Sequence, residues 1–122
     1  MIDRIRRLGY LAETAAPDVA DAVRASLQKS IASGTDPDGK AWAPRKGGGT
    51  ALQYAAKAVA VAPIGTRVFV RLSGVEARHH LGLARGGVVR RIIPVDRIPR
   101  AMAEDCIKAI ADHFHFVMAG GV

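Results

Sequence analysis

The sequence predicts an α+β fold, with N-terminal helices and a C-terminal helix packed on a small, mainly antiparallel β-sheet. Three observations predict it. Val19, Val23, Leu27 and Ile31 recur at every fourth position, the spacing of a helix face. Residues 58–62 and 67–72 alternate apolar and other side chains around Pro63-Ile64-Gly65-Thr66, the pattern of a hairpin. Met102, Cys106, Ile110, Phe114 and Val117 then return at helical spacing behind Pro99. A chain of 122 residues fits one domain, divided here into a helical arm at 1–16 and a core at 17–118.

In chain order, residues 2–13 read as a short amphipathic helix with Ile2, Ile5, Leu8 and Leu11 on one side, weakened by Gly9. Pro17 suits the first turn of a new helix, and Asp18 and Asp21 suit its positive end. That helix carries the Val19–Ile31 stripe and ends at Gly34. Asp36-Pro37-Asp38-Gly39 then forms a tight turn. Pro37 presets φ, the aspartates can bond nearby backbone, and Gly39 accepts positive φ. Trp42, the only tryptophan, leaves this turn as the anchor that pins it to the helix.

Residues 44–49 (Pro-Arg-Lys-Gly-Gly-Gly) read as a flexible basic loop, and Thr50 as the cap of a short helix over 51–57. The hairpin follows, with Phe69 on the same face as Arg67 and Arg71, a pattern that points to a contact surface. Residues 75–81 form a short helical turn closed by Gly82, and 83–87 a loop. Residues 88–95 read as a third strand, with Arg90 and Arg91 inside an Ile/Val run and Pro94 at an edge.

The net charge of +7 and pI near 10.3 fit contact with nucleic acid, an acidic protein surface or a membrane surface, and equally a solvated basic surface. The basic residues are dispersed, without a tail. Cys106 is alone and reads as a small hydrophobe, so no intrachain disulfide is expected. The first residues lack the apolar core of a signal peptide, and no apolar run approaches the ~20 residues of a membrane span.

The chemical motifs are weak. Counted from Asp36, position twelve of a calcium loop is Gly47, where a bidentate glutamate is needed, so that reading fails. His79, His80, His113 and His115 lack ligand spacing, and neighbouring helix positions point in different directions. Glu76 and His79 are as well explained by a surface pair as by acid/base chemistry, and Gly47-Gly48-Gly49 is not followed by a phosphate-loop lysine. No enzyme activity, metal or cofactor is expected.

A helix followed by Asp36-Pro37-Asp38-Gly39-Lys40-Ala41-Trp42 resembles the opening of the virion-morphogenesis or tail-completion proteins of tailed bacteriophages. His79-His80-Leu81-Gly82 resembles a second element of that family, and Val89-Arg90-Arg91-Ile92-Ile93-Pro94 before a closing helix resembles a third. The chain departs from the family pattern in lacking a Thr-Gly-x-Leu element and in carrying His79 where an aromatic is usual. The resemblance implies a structural protein of the phage neck, in the virion and assembled in the host bacterial cytoplasm. It implies a homo-oligomeric ring, a hexamer, that joins other neck and tail proteins, with non-specific contact to DNA in the channel and none to membrane. Its structural and assembly residues are Trp42, Asp38, Gly39, Phe69, His80, Gly82, Arg90, Arg91 and Pro94, with His80 a packing residue. The alternative reading is a small basic nucleic-acid-binding protein without enzymatic activity.

Overall fold

The computed structural model describes residues 10–45, 51–52, 54–83 and 86–120. The expected helix over 2–13 therefore lies outside the described residues up to position 9, as do positions 46–50 of the basic loop, including Thr50. Among the described residues, three α-helices and a two-stranded antiparallel sheet form an α+β fold. Helix α1 spans Leu11–Ser33, strands β1 and β2 span Val59–Ile64 and Arg67–Leu72, helix α2 spans Gly74–Leu81 and helix α3 spans Arg100–Met118. Helix α1 is central: α3 packs along it, and both strands pack against it.

Pro17 does not open a helix. It lies inside α1, which starts beyond Tyr10. An interior proline removes one helical hydrogen bond and costs about 3 kcal/mol. Contacts on either side offset that cost. Ala15, Ala16 and Ala20 are buried, and Thr14 Oγ1 lies 2.9 Å from His113 Nε2 on α3. Pro17 itself is exposed.

The stripe on α1 does not face one neighbour throughout. Steps of four residues advance about 40° around a helix of 3.6 residues per turn. Val23 and Leu27 join Val61 and Met102 in one core cluster. Ile31 has rotated away and packs with Trp42, Ala55 and Ile92 in a second. The same drift corrects the expected stripe of α3. Met102 and Val117 are buried, Cys106 is half-buried, and Ile110, though partly exposed, lines a cleft with Leu11, Ala15 and Val19 of α1, but Phe114 is exposed and His113 is half-buried instead.

In the hairpin, Val59 pairs with Leu72, Val61 with Val70 and Pro63 with Val68. This face packs on α1, while Ala60–Arg71, Ala62–Phe69 and Ile64–Arg67 form the outer face. The turn is shorter than expected, because Pro63 and Ile64 belong to β1. Arg24 Nη2 donates to the Val61 carbonyl at 2.8 Å and fixes β1 to the helix. The short helix expected over 51–57 is a single 3-10 turn at Ala55–Ala58.

Residues 88–95 do not form a third strand, and β1 pairs only with β2 among the described residues. The segment's hydrogen-bonding groups are spent elsewhere. The Arg90 N–H donates to the His79 carbonyl at 3.1 Å, and the Ile92 N–H to His80 Nδ1 at 3.0 Å. The Arg91 carbonyl accepts from Trp42 Nε1 at 2.7 Å. Pro94 has no N–H to give.

Candidate functional site

The singled-out residues divide into a buried junction around Trp42 and an outward face on the hairpin. The junction starts at the end of α1. Gly34 caps the helix by donating to the Ile31 carbonyl. Asp36 Oδ1 then accepts from the N–H groups of Asp38 and Lys40, each at 2.9 Å, and closes the turn. Asp38 contributes its N–H to this turn and leaves its side chain exposed. Gly39 sits at φ +90°, which a side chain would strain. Trp42 N–H donates to the Gly34 carbonyl at 2.9 Å, so the turn delivers the indole directly onto Ile31.

Trp42 is 9% exposed. Its ring fills the space between Ile31, Ala55 and Ile92, and its Nε1–H binds the Arg91 carbonyl. The single polar atom of the indole is thus paired. The anchoring role expected of Trp42 therefore has a second partner. It clamps the segment 88–98 as well as the turn.

His80 and Gly82 hold that segment from α2. His80 is buried and accepts the Ile92 N–H. Gly82 ends α2 in the left-handed conformation at φ +75°, and a Cβ there would stand 2.9 Å from Val89 Cγ2. A larger residue is strained by both conformation and contact. Arg91 Nη1 donates to the His80 carbonyl at 2.7 Å.

Burial, and then the positive charge of Arg91, push the His80 pKa below its ordinary value. The unfolded chain thus takes up the proton first as pH falls. The stability that His80 contributes is complete above about pH 6.5 and is lost as pH drops through the folded-state value. Urea midpoints are expected to decline below about pH 6.5. His80→Asn, which keeps an acceptor near Nδ1, should lose part of that slope. An identical slope in the variant would assign the pH dependence to other groups.

The expectation that Arg90 and Arg91 lie within a third strand is corrected, and the two side chains part. Adjacent residues of an extended chain point to opposite sides. Arg90 points inward and is 8% exposed, whereas Arg91 is exposed. Arg90 donates from Nε to the Ala43 carbonyl at 3.0 Å and from Nη2 to the Pro44 carbonyl at 3.2 Å, and Nη1 lies 3.1 Å from His79 Nδ1. It ties the chain leaving Trp42 to α2. Pro94 is half-buried in the coil after Ile93 and lines a cleft with Asp36, Asp38 and Arg91, rather than closing a strand edge.

Phe69 stands apart from the junction. It is 49% exposed on the outer face of the hairpin, opposite Ala62 and between Arg67 and Arg71. Small side chains at Ala60 and Ala62 leave its ring raised over a low floor. Sequence reasoning missed a further exposed apolar pair, Ile107 and Phe114 on α3. Its signal was present in their spacing of seven residues, about two helical turns. Among the described residues, no group of three or more His, Cys, Asp or Glu side chains is placed to hold a metal ion, and no helix is long and apolar enough to cross a membrane.

Comparison of the chain with protein-family models, curated proteins and solved structures finds no match.

Proposed function

We propose that the chain is a ring-forming structural subunit of a phage neck, a tail-completion or head–tail joining protein that acts by assembly. The observation that carries this reading is the separation of scaffold from surface. The three motifs of the resemblance come together as one junction, where Trp42, His80, Gly82 and Arg90 hold turn, helix and coil by paired polar groups. The remaining exposed apolar side chains include two distinct sets: Phe69 with Ile64 on the hairpin, and Ile107 with Phe114 on α3. A head-to-tail ring needs two different surfaces on each subunit. The expected ring is a hexamer, with twelve copies the open alternative; the resemblance implies neck and tail proteins as partners and the virion as location.

Assembly is tested with Phe69→Asp. The wild type is expected to form one closed oligomer by light scattering. The variant, at matched concentration, should remain folded by circular dichroism and fall to monomer. An unchanged size would remove the hairpin from the interface, and a monomeric wild type would sink the ring itself.

One observation favours the second reading, a small non-enzymatic nucleic-acid-binding protein. Arginines flank an exposed aromatic, as on platforms where single-stranded bases stack. That reading is the better one if a monomer binds single strands with affinity that falls steeply with salt and is lost in Phe69→Asp.

A further inference from the structure

Arg90 is a buried charge that forms no ion pair among the described residues. Its guanidinium has five N–H groups. Nε uses its one for the Ala43 carbonyl, Nη2 uses one for the Pro44 carbonyl, and Nη1 uses one for His79 Nδ1. One N–H on Nη1 and one on Nη2 are left without an acceptor among the described residues. Carbonyl dipoles offset part of the cost of burying a cation, but a buried charge is ordinarily paired.

Arg90 lines a cavity of about 350 Å³, and the other groups there are Arg45, Tyr54, His79, Glu76 and Leu52. Arg45 brings a second guanidinium. Tyr54 adds a hydroxyl, a donor to an oxyanion. The carboxylate of Glu76 lies near Gly74 and pairs with neither arginine. Leu52 forms part of the wall with φ +52°, a conformation that costs energy for a branched side chain and persists where surroundings hold it.

We propose that this cavity binds an oxyanion, held by Arg90 from the buried side and by Arg45 from the rim. A planar guanidinium with one N–H on each terminal nitrogen unpaired among the described residues suits a carboxylate or phosphate oxygen pair. The ligand is either a free inorganic or organic anion, or an acidic side chain of a neighbouring copy. Only the second source rests on the ring reading.

The test uses the full chain melted at fixed ionic strength, with sodium chloride replaced stepwise by sodium phosphate or sodium acetate. Phosphate also stabilises proteins by exclusion from their surface, without a site. The diagnosis is therefore the difference between the wild type and two variants of the exposed Arg45. The wild-type response should saturate, and at tenfold excess over the dissociation constant the folded-to-unfolded ratio should rise about elevenfold. Arg45→Ala should retain only the shallow, unsaturated response. Arg45→Glu should do the same while melting higher in chloride, because it supplies Arg90 with a carboxylate. A wild-type response that never saturates, or variants that follow the wild-type curve, would overturn the site. Light scattering separates the two sources. Phosphate that dissolves the oligomer as it saturates assigns the cavity to a neighbour's carboxylate. Saturation with oligomer size unchanged, or in a monomer, assigns it to a free anion, and a monomer counts against the ring reading alone.

Discussion

Trp42→Ala is expected to lower the unfolding free energy by about 3–5 kcal/mol, the range for deleting a buried aromatic. The indole is the largest side chain of its cluster, and nothing nearby is placed to refill the space between Ile31, Ala55 and Ile92. The substitution also strands the Arg91 carbonyl, now bound by Nε1–H, which adds about 1 kcal/mol of lost hydrogen bonding. Domains of this size are stable by about 5–15 kcal/mol, so a large share of the margin disappears. Since the chain has no other tryptophan, urea unfolding of the variant has to be followed by circular dichroism. A change below about 1 kcal/mol would mean that the indole is not part of the core. Trp42→Phe helps to separate the two contributions, because it keeps an aromatic ring in the site while removing the donor along with part of the indole volume.

Ile92→Ala is expected to cost about 2–5 kcal/mol, although Ile92 belongs to no regular element. It is fully buried between Trp42 and the end of α1. In a segment without ladder hydrogen bonds, this side chain and the bond of its N–H to His80 add to the bonds at Arg90 and Arg91 that hold the backbone in place. Val89, three residues earlier and 48% exposed, provides the control, with Val89→Ala expected within about 0.5 kcal/mol. Ile92 and Trp42 touch, so their double variant should cost less than the sum of the single losses. Strict additivity would show that the two side chains act independently, and that the segment is fixed from α2 alone.

The expected elements were legible where a periodic pattern met a clear stop. Helix α1 past Pro17, the hairpin, α2 with Gly82 and α3 behind Pro99 could each be placed from spacing and turn chemistry. The Asp-Pro-Asp-Gly turn and the buried Trp42 were legible for the same reason, since these residues act on their own neighbours. The run at 88–95 was misread because its Ile/Val content satisfies a strand and a buried coil alike. Its fate depended on which partners reached its N–H and carbonyl groups first, and those are His79, His80 and Trp42, far away in sequence. The cavity around Arg90 was illegible for the same reason, although an Arg-Arg pair in an extended apolar run already implies that one arginine faces inward.

The sequence by itself determined the α+β class, the order of helix, turn, hairpin and helix, and the residues that end most elements. All of these follow from contacts within about one or two helical turns of chain. Only the tertiary structure decided how far α1 runs back through Pro17, how the apolar side chains of α3 divide between core and surface, and that Arg90 and Ile92 point in while Arg91 points out. Local preferences at those positions amount to a few kcal/mol at most. Burial against a distant segment is of the same size or larger, so the outcome there rests on which neighbour the fold supplies.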